Sequence, residues 1–487
     1  MRCFIALLTI LLGGEAASGE ARRAIWFVSW QHAGHIKALC PIATELQRRG
    51  HEVRVVVHEE VLHLVPKNLI ALSAGPLPWS WTEELQFRQA LWDPSPAEEA
   101  RDARKADLSE QYFAGSQRSL LRGRSLTFLR EGWRFDARQF HKTTQSTMPR
   151  GLNETLHRVP LQEWPSLLAI DVSSVGAMDL AEKLAIRFAV ISAWPVGPTL
   201  QSVGEATDFG WMPSELFAFT QSSHQQSFPD RLKRYLFSNL LPRFMNWAGF
   251  HEPRRALRRE LDLDERLELL EAPRTSANGG RPLLCILSHW GIDRPRPLPP
   301  RAVLVGPVED YPGKVKEAGE LPKPVADWLA SGKVVYISFG TNVRPTREVY
   351  QAILGAAEGL QDVKFLWDVD ESEVQASSLG ELAHAAAFPN VHFAPGVPQI
   401  LVLGHVAAFV THCGLNSVHE ALHFGVPMLG MDFVQLDLMA SLGCKAADPS
   451  CWAESEIHTG LSLVFLEVAE EQLQKVHHLE VTCLFFV

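Results

Sequence analysis

The sequence is poor in three things, and each absence removes a class of protein. It has no excess of positive charge: 46 lysines and arginines stand against 56 aspartates and glutamates, a net charge of −10. Such a surface repels phosphate backbones, so a nucleic acid polymer is excluded as a partner, although a mononucleotide needs only a local site. Its seven cysteines include no CxxC pair, which argues against a zinc ribbon or a thioredoxin motif. Cys444 and Cys451 could bridge in an oxidising lumen, a question that spacing alone does not decide. Finally, no apolar run approaches the roughly 20 residues that a bilayer span needs. The apolar residues 3–12, preceded by Arg2 and followed by small residues, read as a secretory signal peptide over residues 1–18. The apolar tail, residues 481–487, is also too short to span. The mature chain is therefore expected in the endoplasmic reticulum lumen or outside the cell, where the sequon Asn153-Glu-Thr155 would be usable.

What is present is a long chain of alternating elements. Its 487 residues exceed one ordinary core, so two domains of about 200 residues are expected. Residues 24–30 are a continuous apolar run, as in a strand buried on both faces. A helical pattern over 36–49 ends at Gly50, and a second strand covers 52–57. This βαβ unit recurs as strand 166–171, helix 176–184 and strand 188–192, followed by strand 282–288. Four prolines within residues 293–301 predict a semi-rigid linker between domains 19–292 and 302–487. In the second domain, strands 334–338, 364–369, 407–411 and 427–430 alternate with helices 347–360 and 416–424. Residues 95–150, rich in arginine, read as solvated helix and loop. Residues 205–260, with Trp211, Phe217, Phe219, Phe244 and Trp247, read as packed helices or the lining of an acceptor pocket.

The densest chemistry lies in residues 409–428, FVTHCGLNSVHEALHFGVPM. A strand, a glycine turn and a helix start direct backbone N–H groups and the positive helix end at one spot, an anion site suited to a diphosphate. His412, Asn416 and Ser417 add side-chain donors beside Gly414, and Glu420, one turn on, could accept from ribose hydroxyls.

That segment resembles the nucleotide-sugar signature of the UDP-glycosyltransferase family. The resemblance continues through Val305-Gly-Pro307, Ser338-Phe-Gly-Thr341, Lys364-Phe-Leu-Trp367 and Val397-Pro-Gln399. It implies an α/β chain of GT-B fold, two Rossmann-like domains facing across a cleft. It also implies a hexosyltransferase that moves sugar from a UDP-sugar to a small hydroxylated, lipophilic acceptor with inversion. By the same resemblance Ser338 and Thr341 join His412, Gly414, Asn416 and Ser417 around the diphosphate, and Gln399 and Glu420 hold the ribose and base side. His35 is the implied base, in the turn where the first strand meets its helix, oriented by Asp171 after a later strand. From the residues alone His32 serves equally well. UDP leaves against the helix N-terminus and His412, so the resemblance calls for no metal or other cofactor.

The pattern departs from the family in three places. Gly396 stands where the family has a tryptophan that stacks on uracil, and Leu436 and Asp437, beside Gln435, replace an acidic residue and a glutamine against the sugar. The tail after Cys444 has no clear counterpart. Asp437 is the expected sugar contact. Two other readings stay open: a sugar-nucleotide binder without turnover, and a zinc protease through His419-Glu-Ala-Leu-His423. Asp368-Val-Asp370 resembles a D-x-D metal motif and reads instead as a solvated strand end.

Overall fold

The computed structural model describes residues 23–77, 147–203, 228, 251–267, 271–290, 292–293, 297–309, 311–340, 347–369, 388–412, 414–431 and 481–484. The expected signal peptide, the bulk of the arginine-rich stretch and the aromatic residues 211–247 lie outside these, as do Cys444 and Cys451. The chain divides into two compact units, with every described residue up to Glu309 in the first and those from Tyr311 onward in the second.

The first unit is built on a seven-stranded parallel sheet, order β3-β2-β1-β4-β5-β6-β7. The strands are β1 (Ala24–Val28), β2 (Glu52–Val57), β3 (Ile70–Ser73), β4 (Leu167–Asp171), β5 (Phe188–Ser192), β6 (Leu283–Ile286) and β7 (Ala302–Leu304). Helices α1 (Ala33–Arg48), α2 (Met148–His157), α3 (Val175–Lys183), α4 (Val196–Ser202) and α5 (Glu252–Glu260) accompany them. β4 and β5 are buried along their whole length, each an apolar run of four residues closed by a polar one, Asp171 or Ser192. The helix expected over 36–49 starts earlier, at Ala33, which draws His35 into its first turn. Residues 147–150, expected to be solvated, open α2 with Met148 buried in the sheet's core.

The expected linker does not part the units. After the proline-rich residues the chain returns as β7, parallel to β6, and the Val305 and Gly306 N–H groups donate to Ile286 and Ser288 carbonyls at 3.0 Å each. The boundary therefore falls after Glu309. The proline-rich residues therefore stand between two neighbouring strands of one sheet.

The second unit has a sheet of order β10-β9-β8-β11-β12-β13, parallel except for the last strand. Its strands are β8 (Val334–Ser338), β9 (Lys364–Trp367), β10 (Val391–Phe393), β11 (Ala408–Thr411), β12 (Met428–Met431) and β13 (Val481–Leu484). Its helices are α6 (Tyr311–Ala318), α7 (Lys323–Ala330), α8 (Arg347–Gly359), α9 (Gln399–Val402) and α10 (Leu415–Phe424). The apolar tail thus contributes an antiparallel edge strand against β12. No helix among the described residues is long and apolar enough to cross a membrane.

One polar feature sits inside the first unit's helical layer. Asp179 of α3, fully buried, receives two hydrogen bonds from Arg254 of α5, at 2.8 and 3.0 Å, and one from Arg258 at 2.5 Å. Arg258 also reaches Glu182 at 2.8 Å. The cluster ties α5 to α3 in one register. Removing one partner strands a charge in the interior, so Asp179→Ala should destabilise the protein by about 3–5 kcal/mol. A triple Asp179→Leu, Arg254→Met, Arg258→Met variant should lose less, as measured by denaturant unfolding. A triple loss equal to or larger than the single loss would contradict the assignment.

Candidate active site

Each sheet brings candidate residues to its carboxyl edge, at the point where the strand order reverses. In such sheets the connections leave to opposite faces there and open a crevice beyond the strand ends. In the first unit that point lies between β1 and β4, paired from Ile25↔Leu167 to Val28↔Ile170. His35, in the first turn of α1, follows β1, and Asp171 closes β4.

The two side chains meet. His35 Nδ1 lies 2.7 Å from Asp171 Oδ2, and the other carboxylate oxygen accepts the Ser173 N–H at 2.8 Å. Asp171 is 1% exposed and His35 11%. An ionised carboxylate only accepts, so Nδ1 carries the proton and Nε2 keeps a lone pair. The imidazole is thus held as a base with one nitrogen for chemistry. His32, indistinguishable in the sequence, occupies the N-cap position of α1 and makes no side-chain cap bond.

Two tryptophans that sequence reasoning passed over stand edge-on to this imidazole. Trp30 lies 5.0 Å away at 84° and Trp194 6.2 Å away at 86°, centroid to centroid. Each lies two residues beyond the end of a strand, β1 or β5, and that placement was the available signal. Trp194 sits in a pinned turn: its N–H donates to Ser192 Oγ at 3.1 Å, and its carbonyl accepts the Thr199 hydroxyl at 3.3 Å.

In the second unit the reversal lies between β8 and β11, with Thr411 opposite Ser338. Two glycine turns leave these strands, and the His412 ring lies between them. A Cβ on Gly340 would stand 2.7 Å from the ring's Cε1, and one on Gly414 2.5 Å from its Nε2. Gly340 also has φ +69°, a conformation that favours glycine. Both glycines are thus required by the same imidazole. Although part of His412 is exposed, its Nδ1 is sealed from water. Desolvation pulls its pKa down to about 4, partly offset by a backbone contact with Ser338. At neutral pH His412 is an uncharged hydrogen-bonding group.

Beyond it, Gly414 starts α10 with no side-chain cap, so the positive end of the helix is presented at that turn. Gln399, at the start of α9, donates through Nε2 to Glu420 Oε2 at 2.6 Å and to Ser417 Oγ at 3.3 Å. Ser417 and Glu420, three apart on α10, share one face. The structure therefore gathers Gln399, Ser417 and Glu420, with Asn416 in the same helical turn. Thr341 and Asp437, like Leu436, lie outside the described residues.

Two expectations change. The Ser338 hydroxyl donates to Asp368 Oδ2 at 3.1 Å, toward β9. Asp368 is not merely a solvated strand end: it also accepts the Tyr336 hydroxyl at 3.4 Å and the Gly396 N–H at 2.8 Å. Burial, and then the charge of Asp368, push the Tyr336 hydroxyl well up, so it stays protonated and donates. In the zinc-protease motif Glu420 is bonded to Gln399, His419 is buried, and His423 is exposed and stacks on Tyr311 at 4.1 Å. Among the described residues no three His, Cys, Asp or Glu side chains are grouped to hold a metal ion.

The depressed His412 pKa makes a stability prediction. Between the ordinary value of 6.5 and about 4 the unfolded chain binds a proton that the folded chain refuses, so stability is lost as pH drops through that window. His412→Gln should flatten the fall in Tm between pH 7 and pH 5. An unchanged slope would show that the ring titrates normally.

Comparison with known proteins identifies the family and the fold. The family model for UDP-glucoronosyl and UDP-glucosyl transferase matches residues 154–453, more than half of the chain. UDP-glucuronosyltransferase 2B30 of Macaca fascicularis is 25% identical over 98% of this chain and 85% of its own length. UDP-glucuronosyltransferase 2B15 of Rattus norvegicus is 33% identical over a shorter stretch, 33% of this chain and 29% of its own. Among solved structures, the glycotransferase of kitacinnamycin superposes with TM-score 0.54 at 16% identity, covering 94% of this chain and 95% of its own, a likeness of fold. The chain has the GT-B fold of two Rossmann-like units, and it is a glycosyltransferase belonging to the UDP-glucoronosyl and UDP-glucosyl transferase family.

Proposed function

We propose that the protein transfers a hexosyl group from a UDP-sugar to the hydroxyl of a small, lipophilic acceptor, with inversion at the anomeric carbon. The observation that carries this reading is the 2.7 Å contact between His35 and Asp171. His35 Nε2 takes the proton of the acceptor hydroxyl as its oxygen attacks the anomeric carbon, and the bond from that carbon to UDP breaks. Asp171 stabilises the imidazolium that forms. A single displacement by an activated oxygen inverts the centre. The apolar acceptor is supported by Trp30 and Trp194, whose rings border the imidazole.

The donor belongs to the second unit. The diphosphate is met by the N-terminus of α10 and by His412, and the ribose by Glu420 and Gln399. His412 acts there as a neutral hydrogen-bond donor, so the helix end supplies the positive potential. The reading calls for no metal. The names of the relatives make UDP-glucuronic acid and UDP-glucose the first donors to try. The apolar residues 3–12 support a place in the secretory pathway.

Transfer to a panel of hydroxylated acceptors, with each UDP-sugar in turn and with chelator present, tests the reading. His35→Ala should lower kcat by about 10²–10⁴ while sparing UDP binding. Asp171→Asn should lower kcat as well, because an amide can present its N–H to Nδ1 and reverse the tautomer. Full turnover in either variant would remove the dyad from the reaction. UDP binding with no transfer by the wild-type chain would favour the binder without turnover.

A further inference from the structure

Asp368 has no task in the reaction just described, yet the structure gives it a definite place. It follows β9 directly, its own N–H bonded to the Ile337 carbonyl at 2.9 Å. Its Oδ2 accepts from Ser338 and Tyr336 at 3.1 and 3.4 Å, and its Oδ1 accepts the Gly396 N–H at 2.8 Å. Ser338 Oγ in turn lies 3.5 Å from the Gly340 N–H.

One carboxylate thus reaches two separate turns. The first, 338–340, leaves β8 and packs Gly340 on His412. The second leads through Gly396 to Gln399, whose amide meets Glu420. Gly340 and Gly396 have φ +69° and +70°, so both turns rest on backbone with much conformational freedom to lose. Bonds to a charged acceptor are the strong kind, and they narrow that freedom. Gly396 occupies the place of the expected stacking tryptophan, and a Cβ there would meet nothing within 4 Å. Its turn is held by its amide instead. Using Asp368 as a metal ligand would press a cation against three donated hydrogens.

We propose that Asp368 is a positioning residue for the donor nucleotide: through Ser338 it sets the diphosphate turn, and through Gly396 it sets the turn on the ribose side. Asp368 does not touch the donor, and the inference rests on the donor reading above. It explains why Ser338 turns its hydroxyl toward β9. Ser338 shapes the turn, and the backbone N–H groups of that turn meet the anion.

The test compares UDP and uridine binding by calorimetry, with steady-state kinetics on the full chain. Asp368→Asn should raise the Kd of UDP, the Kd of uridine and the KM of the UDP-sugar each by about tenfold, the scale of a lost charge-assisted bond. The KM of the acceptor should stay within about twofold, since that site lies on other elements. Ser338→Ala, which cuts only one arm, should weaken UDP and leave uridine unchanged. A folded Asp368→Asn protein with unchanged donor KM, or with donor and acceptor KM raised alike, overturns the inference. Should Asp368→Asn not fold, Ser338→Ala decides: equal effects on UDP and uridine, or none, overturn it. A wild-type chain that binds no UDP overturns the donor reading as well.

Discussion

A carboxylate with almost no access to water stands at the centre of the first unit. Asp171 commits one oxygen to His35 and the other to the Ser173 N–H. That contact sets which imidazole nitrogen holds the proton, and it can form only because β1 and β4 are neighbours. The whole parallel sheet serves this adjacency. Buried apolar strands fix the register, and the register delivers the end of β4 to the first turn of α1. The ion cluster of Asp179, Arg254 and Arg258 steadies the helical layer on which that register rests.

The second unit solves its own problem by close approach. An imidazole wedged between two glycine turns can have no methyl group on either side, and its desolvation keeps it neutral. A neutral ring beside an uncapped helix start leaves the helix as the source of positive potential. Positive potential at this turn is thus built into the backbone, which needs no reorientation to meet an anion. Asp368 belongs to the same economy of rigid turns, and its hydrogen bonds give the Ser338 and Gly396 stretches a common anchor.

Much of this was legible in the residues. Buried strands announced themselves as apolar runs, and β5 and β8 have the bounds their sequences imply. The glycine turn and helix of residues 414–424 were readable because glycine and the helical period are local signals. Misreadings came where a local signal had a non-local meaning. Prolines at 293–301 implied a domain boundary, yet the chain turns back to pair β7 with β6. Asp368 looked like a solvated residue because its three partners come from β8 and from a loop 28 positions away.

By itself, the sequence determined the alternation of strands and helices, the α/β class of both units and the resemblance to the family to which the chain belongs. These depend on burial patterns and short glycine motifs, which act over a few residues. Only the tertiary structure decided that His35 meets the Asp171 carboxylate, across 136 positions of chain. It alone decided that Trp30 and Trp194 border the same ring, and that Ser338 faces β9. The reason is physical: strand order brings distant residues to one edge, and no periodicity along the chain encodes which strands become neighbours.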